Sequence, residues 1–157
     1  MQAAQVPVSS PSAPTRQLQG NFILLRADKL RLLLPQEGIQ STDYLQGRPE
    51  LIEGETGLLH IPDSEDGAVY VAVGSDMHLL DMCPADRFVT TSMHGLDVRW
   101  CWSEVRVLMQ ANLYCEALPA VLLSPHTPVR EIVAVGNDWA YLCSAEGLQQ
   151  FALSAKN

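Results

Sequence analysis

The chain has 157 residues, and its 10 Lys and Arg against 18 Asp and Glu give a net charge of −8. That length suits one domain, or two small units sharing a core, with roughly two-thirds of the unfolded surface buried. The negative balance provides nothing to neutralise a phosphate backbone or an anionic membrane surface, so neither nucleic acid nor membrane is expected as a partner.

The first 20 residues, MQAAQVPVSSPSAPTRQLQG, carry Pro7, Pro11, Pro14 and Gly20 with little apolar content. Such a composition does not offset its ordering entropy, which predicts a disordered arm over 1–20. The same stretch lacks the basic segment and apolar run of a signal peptide, and no later stretch approaches about 18 unbroken apolar residues. A cytoplasmic protein without membrane insertion is the expectation.

From Asn21 the pattern changes. FILLRADKLRLLLP contains apolar runs at 22–25 and 30–34 around the polar RADK, which predicts a β-hairpin. A mixed segment follows, with an acidic run between Glu50 and Asp66 that reads as a solvated loop. AVYVAVGSDMHLLD then predicts a second hairpin, with strands near 69–73 and 77–81 and Gly74 supplying the positive φ of its turn.

The later half repeats this order. VRWCWSEVRV follows LRLLLPQEGI at an offset of 68, with Arg99 over Arg31, and VAVGND returns after VAVGSD at an offset of 62. Each half ends in a stretch suited to a short helix, one starting near Pro84 and one near Ala145 with Ser144 as N-cap. Two copies are too few for a solenoid. The expectation is therefore mainly β, with a first unit over 21–90 and a second over 91–157, related by a pseudo-twofold axis.

The chain resembles the CheW-like chemotaxis coupling proteins. LLLPQEGI and WCWSEVRV occupy the places of the family's A-L-P-x-x-x-V pattern, and VAVGSDMHLLDM falls on N-L-R-G-x-x-x-P-x-x-D-L. The second alignment keeps Gly74 and Asp81, but sets Val71 at the Asn, Val73 at the Arg and His78 at the Pro. The resemblance covers about 21–155 and implies two five-stranded β-barrel subdomains facing each other across a core, with short helices. It also implies a non-enzymatic adaptor that contacts a CheA-type histidine kinase, a chemoreceptor or a pilus-signalling component. Val73 in place of the family's coupling arginine points away from ordinary receptor coupling.

The residues themselves carry no nucleophile elbow, P-loop, dinucleotide fingerprint, zinc-helix or calcium-loop motif, so no catalysis and no cofactor is expected. His60, His78, His94 and His126 stand far apart, and Cys83, Cys101, Cys115 and Cys143 form no C-x-x-C pair, which predicts reduced, buried thiols and no metal. On a strand Trp100 and Trp102 share one face, with Arg99 and Cys101 on the other, and Trp139 and Tyr141 share a face in the matching later strand. Core packing is one reading of these aromatics and a partner surface rimmed by Arg99 and Arg106 is another. With Val73 and Met77 of the VAVGSD hairpin, the candidate interface set is Val73, Met77, Arg99, Trp100, Trp102, Arg106, Trp139 and Tyr141. LPAVLLSPHTPVREI, 118–132, reads as a proline-stiffened crossing segment. Two rivals are a barrel binding a small ligand between its halves and a catalyst assembled from His78, Asp81, Cys83 and His126.

Overall fold

The computed structural model describes residues 15–95, 97–119 and 129–156. The predicted first hairpin is present as β1 (Thr15–Ala27) and β2 (Leu30–Pro35). Its strands run into the polar break, because Arg26 pairs with Arg31 and Ala27 with Leu30, leaving Asp28 and Lys29 as the turn. Asp28 takes φ 58, a conformation that a short polar side chain tolerates.

A 3-10 turn (Gln36–Gly38) leads to β3 (Ile39–Tyr44), β4 (Glu50–Leu51), β5 (Leu59–His60), β6 (Val69–Ala72), β7 (Val89–Met93) and β8 (Val98–Trp102). These six strands make one sheet in the order β3-β7-β8-β6-β5-β4. β9 (Glu104–Ala117), β10 (Glu131–Val135) and β11 (Asp138–Leu142) join β1 and β2 in a closed barrel, order β1-β2-β11-β10-β9, before helix α1 (Ala145–Lys156). The protein is thus mainly β, with one closed five-stranded barrel and a six-stranded sheet whose ends are β3 and β4.

The expected boundary at 90/91 does not divide the sheets. β1 pairs antiparallel with β9, and β2 pairs in parallel with β11 through Leu32↔Tyr141 and Leu33↔Leu142, so the barrel takes strands from both ends of the chain. The expected arm over 1–20 also takes in residues that are strand. Thr15 to Gly20 are strand, paired with β9 from Glu116 to Ala111, because main-chain pairing asks little of side chains and Arg16 is clamped to Glu131 at 2.6 Å. The remainder of the expected arm, 1–14, lies outside the described residues, as do 120–128 of the proline-rich segment.

Three cores follow from strand alternation. Phe22, Leu24, Leu33, Cys115, Val133, Val135 and Ala140 fill the barrel. Ile23, Leu25, Leu32 and Leu34, on the opposite faces of β1 and β2, meet Val71, Val73, Trp100 and Trp102 of the second sheet. Tyr70, Ala72 and Cys101, on the far faces of β6 and β8, enclose a small third core with Leu59 and Cys83. β2, β6, β8 and the 22–27 half of β1 are therefore largely buried on both faces, which is why FILL, LLL and VYVAV read as unbroken apolar runs.

The two VAVG turns differ. At β10–β11 the hairpin closes on Val135↔Asp138 with Gly136 at φ 63, as a two-residue turn demands. After β6 the returning arm contributes a single bridge, Val73↔Leu79, and the left-handed residue is Met77 at φ 67 rather than Gly74. Gly74 N–H donates to the His78 carbonyl at 2.9 Å and Met77 N–H to the Gly74 carbonyl at 3.0 Å, so the wider loop turns at its far end. No helix forms near Pro84, where the chain makes turns tied by Arg87 N–H to the Pro84 carbonyl at 3.1 Å. α1 does begin at Ala145, with Ser144 Oγ accepting from Gly147 N–H at 2.9 Å. The acidic run is largely exposed loop but contains β4 and β5.

Candidate protein-interaction surface

The eight candidate interface residues separate by burial. Trp100 and Trp102 stack at 6.1 Å and 8° inside the core between barrel and sheet, both 0 % exposed. Trp102 Nε1 donates to Thr91 Oγ1 at 2.9 Å. Val73 is buried with them. The core reading of this pair is correct, and these three are removed from any surface that a folded partner reaches, because β8 and β6 are covered on both faces. Met77 is half-buried and packs on the same core.

Trp139 and Tyr141 are on the outside. Alternation along β11 turns Ala140 into the barrel and leaves Trp139 55 % and Tyr141 39 % exposed. Across the ladder they stand opposite Ala134 and Ile132 of β10, and Ile132 in turn stands opposite Glu116 of β9. Tyr114, 55 % exposed, shares the outward parity of Glu116 because Cys115 between them points inward. β9 and β11, with β10 between them, thus present Tyr114, Trp139 and Tyr141 on one outer barrel face. The reading from sequence missed Tyr114; its two-residue spacing from Glu116, with the apolar Cys115 between, was the available signal.

The inward side of these strands, where Arg16 and Val133 flank Cys115, ends in a charged pair. Arg16 holds Glu131 through both guanidinium arms, at 2.6 and 3.3 Å, and Cys115 Sγ donates to Glu131 Oε2 at 3.2 Å. The hydrogen bond from Arg16 keeps the Glu131 carboxyl below its ordinary range, against burial. Arg106 is exposed on β9, opposite Leu24, whereas Arg99 belongs to the other sheet, so the two arginines do not rim one surface.

Arg99 helps to line a separate crevice. Its guanidinium sits 5.7 Å from the Tyr70 ring centroid, donates to Tyr70 Oη at 3.1 Å and approaches Asp66 at 3.3 Å. Hydrogen bonds from Ser64 Oγ and Ala68 N–H, then the charge of Arg99, lower the Asp66 carboxyl. The crevice has a volume of about 470 Å³, with Asp43, Tyr44, Gln46 and Thr90 also on its walls. It belongs to the six-stranded sheet and not to the junction between the two sheets.

The histidine and acid positions do not converge. His78 is exposed and pairs with Asp76 at 3.0 Å, Asp81 accepts from Gly57 N–H at 2.9 Å, and Cys83 is buried. His126 lies outside the described residues. Among the described residues no group of His, Cys, Asp and Glu is arranged to hold a metal ion, and all four cysteines are free and buried. No helix among them is long and apolar enough to cross a membrane. The features together define a mainly β domain, one barrel and one sheet on a common core, with an aromatic outer face. No protein-family model matches the chain, and no curated protein matches it significantly.

Proposed function

We propose that this protein is a non-enzymatic cytoplasmic adaptor of the CheW-like kind, which couples to a CheA-type histidine kinase or its pathway by docking the outer face of β9–β11. The observation that carries the reading is the exposure of Trp139, Tyr141 and Tyr114 on one sheet face, in a chain that buries its other two tryptophans completely. Leaving large aromatic rings in water is unfavourable, and such rings anchor partner surfaces when they are covered. The architecture supports it as well. Each sheet contains a hairpin, β1–β2 or β7–β8, whose second strand pairs in parallel with an arm of a VAVG hairpin, β11 or β6. That shared plan supports two diverged copies of one unit about a pseudo-twofold axis, although the arm used differs between them.

Recovery of binding partners from the native cell tests the proposal. Wild-type protein should retain a histidine kinase, receptor or pilus-signalling component. Trp139→Ala with Tyr141→Ala should weaken that retention at least about tenfold, the scale of losing one strong anchor. Retention unchanged by the double substitution refutes this docking face, and failure to retain any such component refutes the adaptor reading. The Arg99 crevice favours a second reading, a small organic anion bound within the six-stranded sheet. That reading requires a rise in Tm with carboxylate ligands that disappears in Arg99→Leu.

A further inference from the structure

The small core of the six-stranded sheet holds a group of a different kind. Cys83 and Cys101 are 3 % and 1 % exposed there, beside Leu59, Tyr70 and Ala72. Cys101 sits within β8, paired with Ala72 of β6. The chain leaving the VAVGSD turn donates Leu80 N–H to the Ala72 carbonyl at 2.8 Å, and three residues later Cys83 enters the same small core as Cys101. Arg87 closes the group. Its guanidinium, on a side chain 1 % exposed, donates to the Cys101 carbonyl at 3.1 Å and the Val73 carbonyl at 2.9 Å. Its Nε makes no hydrogen bond but stands 3.5 Å from Asp86 Oδ1, whose charge acts on Cys83 against that of Arg87.

This arrangement separates the two thiols chemically. Cys83 Sγ donates to the Pro84 carbonyl at 3.7 Å; the neighbouring Cys101 thiol, with the charges of Arg87 and Arg48, lowers Cys83 despite burial, while Cys83 and burial push Cys101 far up. A buried thiol ordinarily moves upward. Cys83 also lies outside any strand, between Leu80 and Phe88, with its neighbour Met82 60 % exposed. A local opening of that segment therefore exposes its sulfur without breaking a strand ladder.

We propose that Cys83 and Cys101 are an oxidisable thiol pair, with Cys83 the reacting thiol and Cys101 the resolving one, which a hydroperoxide converts to an intramolecular disulfide. With hydrogen peroxide, the Cys83 thiolate attacks one oxygen; the S–O bond forms, the O–O bond breaks, and the departing hydroxide takes a proton to become water. The Cys101 sulfur, releasing its proton, then attacks the Cys83 sulfur. The S–S bond forms, the S–O bond breaks and a second water leaves. Two thiols lose two electrons and two protons, and the peroxide gains them.

The test exposes the native full chain to a few equivalents of hydrogen peroxide, quenches it and maps its peptides without reduction. The expected result is loss of two thiols, a mass lower by two hydrogen atoms, and a dithiothreitol-reversible link between the Cys83 and Cys101 peptides. Cys115 and Cys143, whose thiols burial pushes up, should react roughly tenfold more slowly or less. In Cys101→Ser, dimedone should trap a sulfenic acid on Cys83; in Cys83→Ser, Cys101 should remain unmodified. Absence of the 83–101 link from the wild-type map, or oxidation of Cys83 no faster than Cys115 and Cys143, overturns the proposal. The wild-type map decides the matter even if a variant fails to fold.

Discussion

Replacing each core tryptophan by phenylalanine separates packing from hydrogen bonding at two neighbouring positions. Trp100 and Trp102 are equally buried, belong to one stack and lose the same atoms in the substitution. Each change should cost about 1–3 kcal/mol for the lost ring and the space it leaves. Their indole nitrogens differ, however. Trp102→Phe breaks the 2.9 Å bond to Thr91 and leaves a fully buried hydroxyl without that partner, a further loss of about 1–3 kcal/mol. Trp100 Nε1 is buried with no partner, so Trp100→Phe removes an unsatisfied N–H and recovers an amount of the same order, about 1–3 kcal/mol. Urea unfolding followed by far-UV circular dichroism should place Trp102→Phe about 2–6 kcal/mol below Trp100→Phe at equal m-value. Adding Thr91→Val to Trp102→Phe should restore part of the loss, because the stranded hydroxyl is then gone. Equal stabilities, or Trp100→Phe as the weaker variant, would refute the hydrogen-bond assignment within this core.

Three further outcomes follow from particular contacts. Gly57 has φ +76, and a Cβ there would stand 2.9 Å from Leu79 Cβ, so Gly57→Ala should lower stability by about 1–3 kcal/mol in the same unfolding assay. The carboxyl of Glu131 is lowered by Arg16, so the folded state binds fewer protons there than the unfolded chain does. The Arg16–Glu131 contribution is accordingly complete above the unfolded glutamate value of about 4.3 and is lost as pH falls through the lower folded value. Because the Arg16 side chain is 55 % exposed, solvent screening limits it to at most about 1 kcal/mol, and Glu131→Gln should flatten acid unfolding curves by no more than that. Trp139→Ala with Tyr141→Ala should change unfolding free energy by about 0.5 kcal/mol or less, since neither ring supports a core, and a larger loss would argue for a structural role.

Local chemistry was sufficient for several features. Two apolar runs around a polar break in FILLRADKLRLLLP specify the first hairpin, Ser144 specifies the start of α1, and Gly136 with Asn137 specifies the last turn. These depend on residues within one turn or one strand of each other, so the sequence contains the whole cause. Strand pairing is different, because its partners are distant. Nothing within 15–35 says that these residues close a barrel with 104–142, and no local pattern makes the polar Thr15–Gly20 a strand until β9 stands beside it. The same limit governed the candidate surface. Period-two spacing places Trp100 with Trp102 and Trp139 with Tyr141 in the same way, but only the sheet packed across β8 buries the first pair and only solvent beyond β11 exposes the second. Arg87 carried no signal at all. A single arginine in ADRF reads as surface loop, and its burial between two main-chain carbonyls exists because β6 and β8 pair in parallel and present Val73 and Cys101 to one guanidinium. Sequence alone determined the β class and the first and last hairpin turns; which faces are core, which remain open to a partner, and where the VAVGSD loop turns were decided by long-range register, since each depends on what another part of the chain places opposite.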